Sequence, residues 1–96
     1  MRLREFQELM ERTYGERDRA RGLAGTFMWL AEEVGELAAA LREGNRQEIA
    51  EELGDCLAWL LSVANLAGVD AEQAVARYAG GCPYCGAVPC RCTSKR

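Results

Sequence analysis

Glu32-Glu33-Val34-Gly35-Glu36 recurs nineteen residues later as Glu51-Glu52-Leu53-Gly54-Asp55. Each copy reads acid, acid, aliphatic, glycine, acid. On a helix the second and third acids of a copy are i,i+3 neighbours, about 5–6 Å apart at Cβ. At about 100° per residue, Trp29, Glu33, Glu36 and Ala40 form one stripe, and Glu48, Glu52, Asp55 and Trp59 form another. Two such helices side by side bring four carboxylates to one place.

The plainest reading of a charge run is a solvated helix face, but such a face normally carries Lys or Arg three or four residues from its acids. None of Glu32, Glu33, Glu36, Glu48, Glu51, Glu52 and Asp55 has one, because no basic residue lies between Arg21 and Arg42 or between Arg46 and Arg77. Two carboxylates near 4 Å repel by about 4 kcal/mol at an effective dielectric of 20. Protons or a cation must neutralise the group, and all-oxygen ligation selects a hard ion such as Mg²⁺ or Mn²⁺. Gly35 and Gly54 are expected mid-helix, where glycine costs about 1 kcal/mol against alanine. Their equivalent positions, with Ala38, Ala39, Ala40 and Ala58, suggest close backbone packing.

Outward from the repeat, the chain reads as all-α, with about four helices around a long antiparallel central hairpin. Residues 2–14 suit an amphipathic helix through Leu3, Phe6, Leu9, Met10 and Tyr14. Gly15 to Gly25 reads as a polar linker, and Thr26 as the N-cap of a second helix ending near Gly44. The apolar stripe of that helix is Phe27, Leu30, Val34, Leu37 and Leu41. Asn45 with Glu48 resembles a capping box and opens a third helix to about Ala67. Its core face is Ile49, Leu53, Cys56, Leu57, Leu60, Val63, Ala64 and Ala67, with Cys56 read as a small buried hydrophobe. Gly68 stops it, and Asp70 opens a short fourth helix to about Ala79. Residues 1–80 form the helical domain, 81–92 a cysteine knuckle, and 93–96 a tail expected to be disordered.

Composition narrows the chemistry. The 96 residues are 49% hydrophobic and 28% charged, with a net charge of −3, which gives no general attraction to nucleic-acid polymers or anionic membranes. No apolar run reaches the roughly 20 residues of a membrane span. The charged start lacks a signal-peptide core, so a cytoplasmic location is expected. There is no histidine, which excludes Ser-His-Asp and Cys-His catalysis and di-iron bundles built on Glu-x-x-His. Lys95 is the only lysine.

The acidic pattern Glu32-Glu33-x-x-Glu36, then Glu52-x-x-Asp55, with Leu66-Ala67-Gly68-Val69-Asp70 beyond it, resembles the MazG-like nucleotide pyrophosphohydrolases over roughly residues 3–79. The resemblance implies a four-helix core, a homodimer or homotetramer, and Mg²⁺ (or Mn²⁺) held by Glu33, Glu36, Glu52 and Asp55. It implies hydrolysis of a nucleoside triphosphate to monophosphate and pyrophosphate, with Glu32, Glu33 and Glu52 as the catalytic acids. Glu32, Glu48 or Glu51 could serve as general base or orienter. Many relatives carry lysines that could meet phosphate; here Arg77, Asn65 and the Arg17/Arg19/Arg21 segment are the substitutes. Trp29 and Trp59 could stack on the base or simply pack. Alternatives are a non-catalytic zinc-knuckle interaction module, a nucleotide-binding regulator, or a phosphoribosyl-ATP pyrophosphohydrolase-like enzyme.

Cys82-Pro83-Tyr84-Cys85-Gly86 followed by Cys90-Arg91-Cys92 places four thiols within eleven residues. Cys-Pro-x-Cys-Gly is a zinc-knuckle pattern, and Gly86 permits the positive φ often needed after the second ligand. Four thiolates suit a closed structural Zn²⁺ site; the alternatives are free thiols or disulfides.

Overall fold

The computed structural model describes residues 1–94 of the chain. It is helical, with α1 at Leu3–Arg21, α2 at Leu23–Glu43, α3 at Arg46–Ala67 and α4 at Ala71–Val75, followed by a 3₁₀ turn at Ala76–Tyr78. Only Gly44 and Asn45 separate α2 from α3, and the two helices pack along one another as an antiparallel hairpin. α1 lies against α3 as its second main neighbour. After α3 the chain axis bends by 105° into the last helical segment. Among the described residues no single helix is long and apolar enough to cross a membrane.

The helix ends follow local chemistry. Asn45 caps α3 by accepting from the Glu48 backbone N–H at 3.1 Å. Asp70 caps α4 by accepting from Glu72 and Gln73. α2 and α3 end on Gly44 and Gly68, both left-handed at φ +80° and +70°, where a side chain would be strained.

Three expectations fail, each for a physical reason. Residues 15–21 are not a linker, because α1 runs through Gly15 to Arg21. Glu16, Arg17, Arg19, Ala20 and Arg21 are good helix formers whatever their polarity. The Arg19–Glu11 pair at 2.6 Å spans two turns across Gly15, and the Arg21–Asp18 pair at 3.0 Å ties neighbouring turns. The break is one residue, Gly22, at φ +89°. Thr26 is accordingly not an N-cap. It lies inside α2 with no exposed surface, and its Oγ1 accepts from the Arg21 guanidinium at 3.2 Å.

The third correction concerns the core. Leu30 and Ala40 of α2 and Leu61 and Ser62 of α3 are buried, with Met10 from α1. Phe27, Val34 and Leu41 on α2, and Leu53, Leu57 and Leu60 on α3, are exposed. A single α1 covers only one side of a two-helix hairpin, so part of each apolar stripe is left outside. Gly35 and Gly54 belong to the open side: a Cβ at either would meet nothing within 4 Å. No close helix approach explains them within one chain.

A partly buried polar knot holds α1 against the α3–α4 corner. The Gln7 side chain donates to the Val69 carbonyl and accepts from the Ala71 N–H, both at 2.8 Å. Asn65 donates to the Gln7 carbonyl at 3.1 Å. Arg4 reaches Asp70 at 3.1 Å and Glu72 at 3.4 Å.

Candidate functional site

The two acidic motifs meet across the α2–α3 hairpin. Glu33 and Glu36 from α2 and Glu52 from α3 each offer a carboxylate oxygen, all within 4.8 Å of one another. Oε2 of Glu33 and Oε2 of Glu52 are buried and have no hydrogen-bond partner. No ion pair among the described residues reaches any acid of the repeat. A buried carboxylate oxygen with neither donor nor counter-charge is costly, and a hard cation removes that cost for both oxygens at once.

Electrostatics records the same crowding. Burial first, and then the charges of Glu36 and Asp55, push Glu33 above the ordinary carboxylate range. Burial, then Glu36 and Glu33, do the same to Glu52. Asp55 is not one of the three converging acids, yet its charge acts on both, and it opens onto a neighbouring cavity. Cys56 is only half-buried, and its thiol is raised by burial and then by Glu33 and Glu52. It therefore faces the acid side as much as the core.

The other sequence-derived candidates fall in separate places. Trp29 and Trp59 stack on each other, centroids 6.0 Å apart and planes 16° from parallel. The Arg21 guanidinium lies 5.0 Å from the Trp59 centroid. Glu32 and Glu48 are exposed beside the cluster, and Glu51 accepts from Gln47 at 3.0 Å. Asn65 lines a groove of about 460 Å³ with Arg4, Gln7 and Asp70. That groove shares no lining residue with the acids of the repeat, and Asn65 donates to the Gln7 carbonyl. Arg77 lies over the rings of Tyr78 and Tyr84 and donates to the Tyr84 hydroxyl at 3.1 Å, so its contacts are with the C-terminal knuckle. Sequence reading missed Asp18, and it put Arg17, one of its candidate phosphate contacts, in a linker. Both line a cavity with Asp55 and Trp59, and the linker reading of residues 15–25 had removed them from any helix face.

The four C-terminal cysteines form a second cluster, their sulfurs within 4.8 Å of one another. Cys82 and Cys92 are 3.7 Å apart at Sγ, Cys85 and Cys90 3.9 Å, and Cys90 and Cys82 3.6 Å. A ZnS₄ tetrahedron with bonds of about 2.3 Å has edges of about 3.8 Å. A disulfide needs about 2.05 Å, and all five cysteines are free. Gly86 takes φ +74°, which lets its N–H return to the Cys82 carbonyl at 2.7 Å. The Arg91 N–H donates to Cys85 Sγ at 3.3 Å. Donation from the Arg91 and Ala87 backbone lowers Cys85 to about 6, and hydrogen bonds from its neighbours lower Cys82. Hydrogen bonding with Cys90, Cys82 and Cys85 raises Cys92 to about 12. Thr93 and Ser94 form an exposed bend, while Lys95 and Arg96, the rest of the expected disordered tail, lie outside the described residues.

The raised acids give a pH signature. A carboxylate raised in the folded state destabilises it at pH values above the folded pKa, and the penalty disappears as pH falls to the unfolded value. Asp70 is shifted the other way, lowered from 3.8 by its backbone and Arg4 contacts against an opposing burial effect, so its contribution is lost only in stronger acid. Magnesium-free protein should therefore gain thermal stability relative to a Glu33→Gln/Glu52→Gln variant as pH drops from 7 to 5. Parallel melting profiles for the two proteins would contradict the crowding.

The stretch of chain that carries the paired motifs and the hairpin matches a known family. The family model described as the MazG nucleotide pyrophosphohydrolase domain matches residues 22–79, which is more than half of the chain and takes in both acidic motifs. No curated protein gives a match. The chain belongs to the MazG nucleotide pyrophosphohydrolase family.

Proposed function

We propose that the protein hydrolyses nucleoside triphosphates to monophosphate and pyrophosphate with Mg²⁺ (or Mn²⁺) at the α2–α3 acids. The observation that carries this reading is the pair of buried, unpartnered oxygens of Glu33 and Glu52 within a three-acid cluster. Glu33, Glu36 and Glu52 would hold the ion, with Asp55 beside them. A bound Mg²⁺ supplies positive charge for the phosphate oxygens and acidifies a water. The chain supplies the rest. Glu32 is exposed next to the cluster and free to take the proton of the attacking water. Arg17 pairs with no acid among the described residues and lines the same cavity as Asp55, which suits it to the phosphate chain.

Pyrophosphate release from a panel of nucleoside triphosphates tests this directly. Glu52→Gln and Glu36→Gln should each lower kcat about a hundredfold or more, in keeping with the several kcal/mol a catalytic ion provides, with helix content unchanged. Arg17→Ala should mainly raise KM. Wild-type turnover in both acid variants would remove the assignment.

We further propose that the working form is a homodimer or homotetramer. Phe27 and Leu41 are 54% and 57% exposed, and Val34, Leu53, Leu57 and Leu60 are exposed alongside them. Rows of this kind are disfavoured on a monomer surface, and a second copy would cover them together with the open faces of Gly35 and Gly54. Sedimentation should give a mass above one chain and a lower mass for Leu57→Glu. A monomeric wild type would refute the assembly.

The cysteine cluster is assigned to a structural Zn²⁺, held by Cys82, Cys85, Cys90 and Cys92 in a reducing, cytoplasmic setting. The sulfur spacing supports it, and the two lowered thiols favour thiolate ligation. Elemental analysis should find one zinc per chain, lost in Cys82→Ser and released in acid as protons compete with the metal for the four thiolates. A zinc-free wild type that keeps its knuckle contacts would overturn the assignment.

A further inference from the structure

A cavity of about 240 Å³ opens between α1 and α3, lined by Tyr14, Arg17, Asp18, Asp55, Trp59 and Ser62 among others. It is smaller than the 300–1,000 Å³ of pockets that enclose drug-sized ligands, so it suits part of a nucleotide. Its lining includes Asp55, whose charge acts on the metal-site acids. It also includes Asp18, only 2% exposed.

Asp18 is half satisfied. Its Oδ1 accepts from the Arg21 guanidinium at 3.0 Å, while its Oδ2 is buried and has no partner. Arg21 cannot readily be spared for it, because the same Nη1 also donates to Thr26 at 3.2 Å and the guanidinium packs over the Trp59 ring. An ionised carboxylate only accepts hydrogen bonds. A carboxylate oxygen left without a donor beside a cavity calls for one from whatever enters, and Trp59 lines the same cavity. Ser62, 3% exposed, is a further buried polar group there.

We propose that this cavity receives the nucleobase and that Asp18 selects bases carrying an exocyclic amine over those with a carbonyl in its place. This rests on the reading of the acid cluster as the phosphate end of the substrate. The amine of cytosine or adenine donates to Asp18 Oδ2. The carbonyl of uracil or hypoxanthine presents a lone pair to an acceptor and is rejected. Asp18 is thus a specificity residue, separate from the acids that handle the phosphates.

The test uses two matched pairs, CTP against UTP and ATP against ITP, with Mg²⁺ and the full-length protein. The wild type should prefer the amine member by roughly ten- to a hundredfold in kcat/KM, the range for a hydrogen bond to a charged group. Asp18→Asn keeps the shape and can turn its own amide N–H₂ toward a carbonyl, so it should bring the ratio near one or invert it. Quenching of Trp fluorescence by cytidine, uridine, adenosine and inosine supplies a readout independent of turnover and should follow the same order. Turnover without amine preference, or a preference unchanged in Asp18→Asn of native helix content, overturns the proposal and leaves the pyrophosphohydrolase reading intact. Amine-selective quenching that is lost in Asp18→Asn, with no nucleotide hydrolysed, supports the assignment of Asp18 and removes the hydrolase reading instead.

Discussion

Negative charge brought together faster than it can be neutralised is the constraint on which this molecule turns. The α2–α3 hairpin is joined by two residues, so its helices must lie antiparallel and its two acidic motifs must meet. Within the described chain no arginine reaches them. Burial and mutual repulsion raise Glu33 and Glu52, and two of their oxygens have no partner. Simple stability would favour a lysine nearby, or fewer acids. An arrangement that avoids both is shaped for an added cation, and membership in the MazG family gives that cation a use.

The rest of the fold serves to hold this hairpin and build a wall beside it. α1 packs on α3 through Gln7, Asn65 and the Arg4 pairs. Its last turn carries Arg17, Asp18 and Arg21 to the flank of Trp59. The knuckle is linked to the helical end through Arg77, which joins Tyr78 and Tyr84. Arg21 and Arg77 thus support aromatic rings, while the repeat acids remain without basic neighbours.

Much of this is legible in the sequence, because it depends on local rules. The i,i+3 spacing of the acids, the absence of basic neighbours, the Asn45 and Asp70 caps and the glycine stops are all set by residues within a turn or two of one another. The cysteine spacing likewise announces a four-sulfur cluster. What cannot be read depends on which helix lies against which. Gly15 signals a break, but good helix formers and the Arg19–Glu11 pair carry α1 past it. The apolar stripes on α2 and α3 show that both helices are amphipathic, not which part of each stripe α1 covers. Asn65 and Arg77 look like ligands for phosphate, being polar and near the motifs; only the packed structure shows an Asn65 N–H on the Gln7 carbonyl and Arg77 against the tyrosines. Asp18 is invisible for the complementary reason, since only packing makes an ordinary helical aspartate a half-satisfied buried one.

The central claim is that side-chain oxygens from two adjacent helices share one hard ion. Titrating the protein with Mn²⁺ and following the free-ion electron paramagnetic resonance signal measures that directly, with no substrate present. The account predicts one saturable site per chain that weakens sharply when either Glu33 on α2 or Glu52 on α3 is changed to Gln. Binding that survives both substitutions, or that shows no saturable site in the wild type, would contradict it.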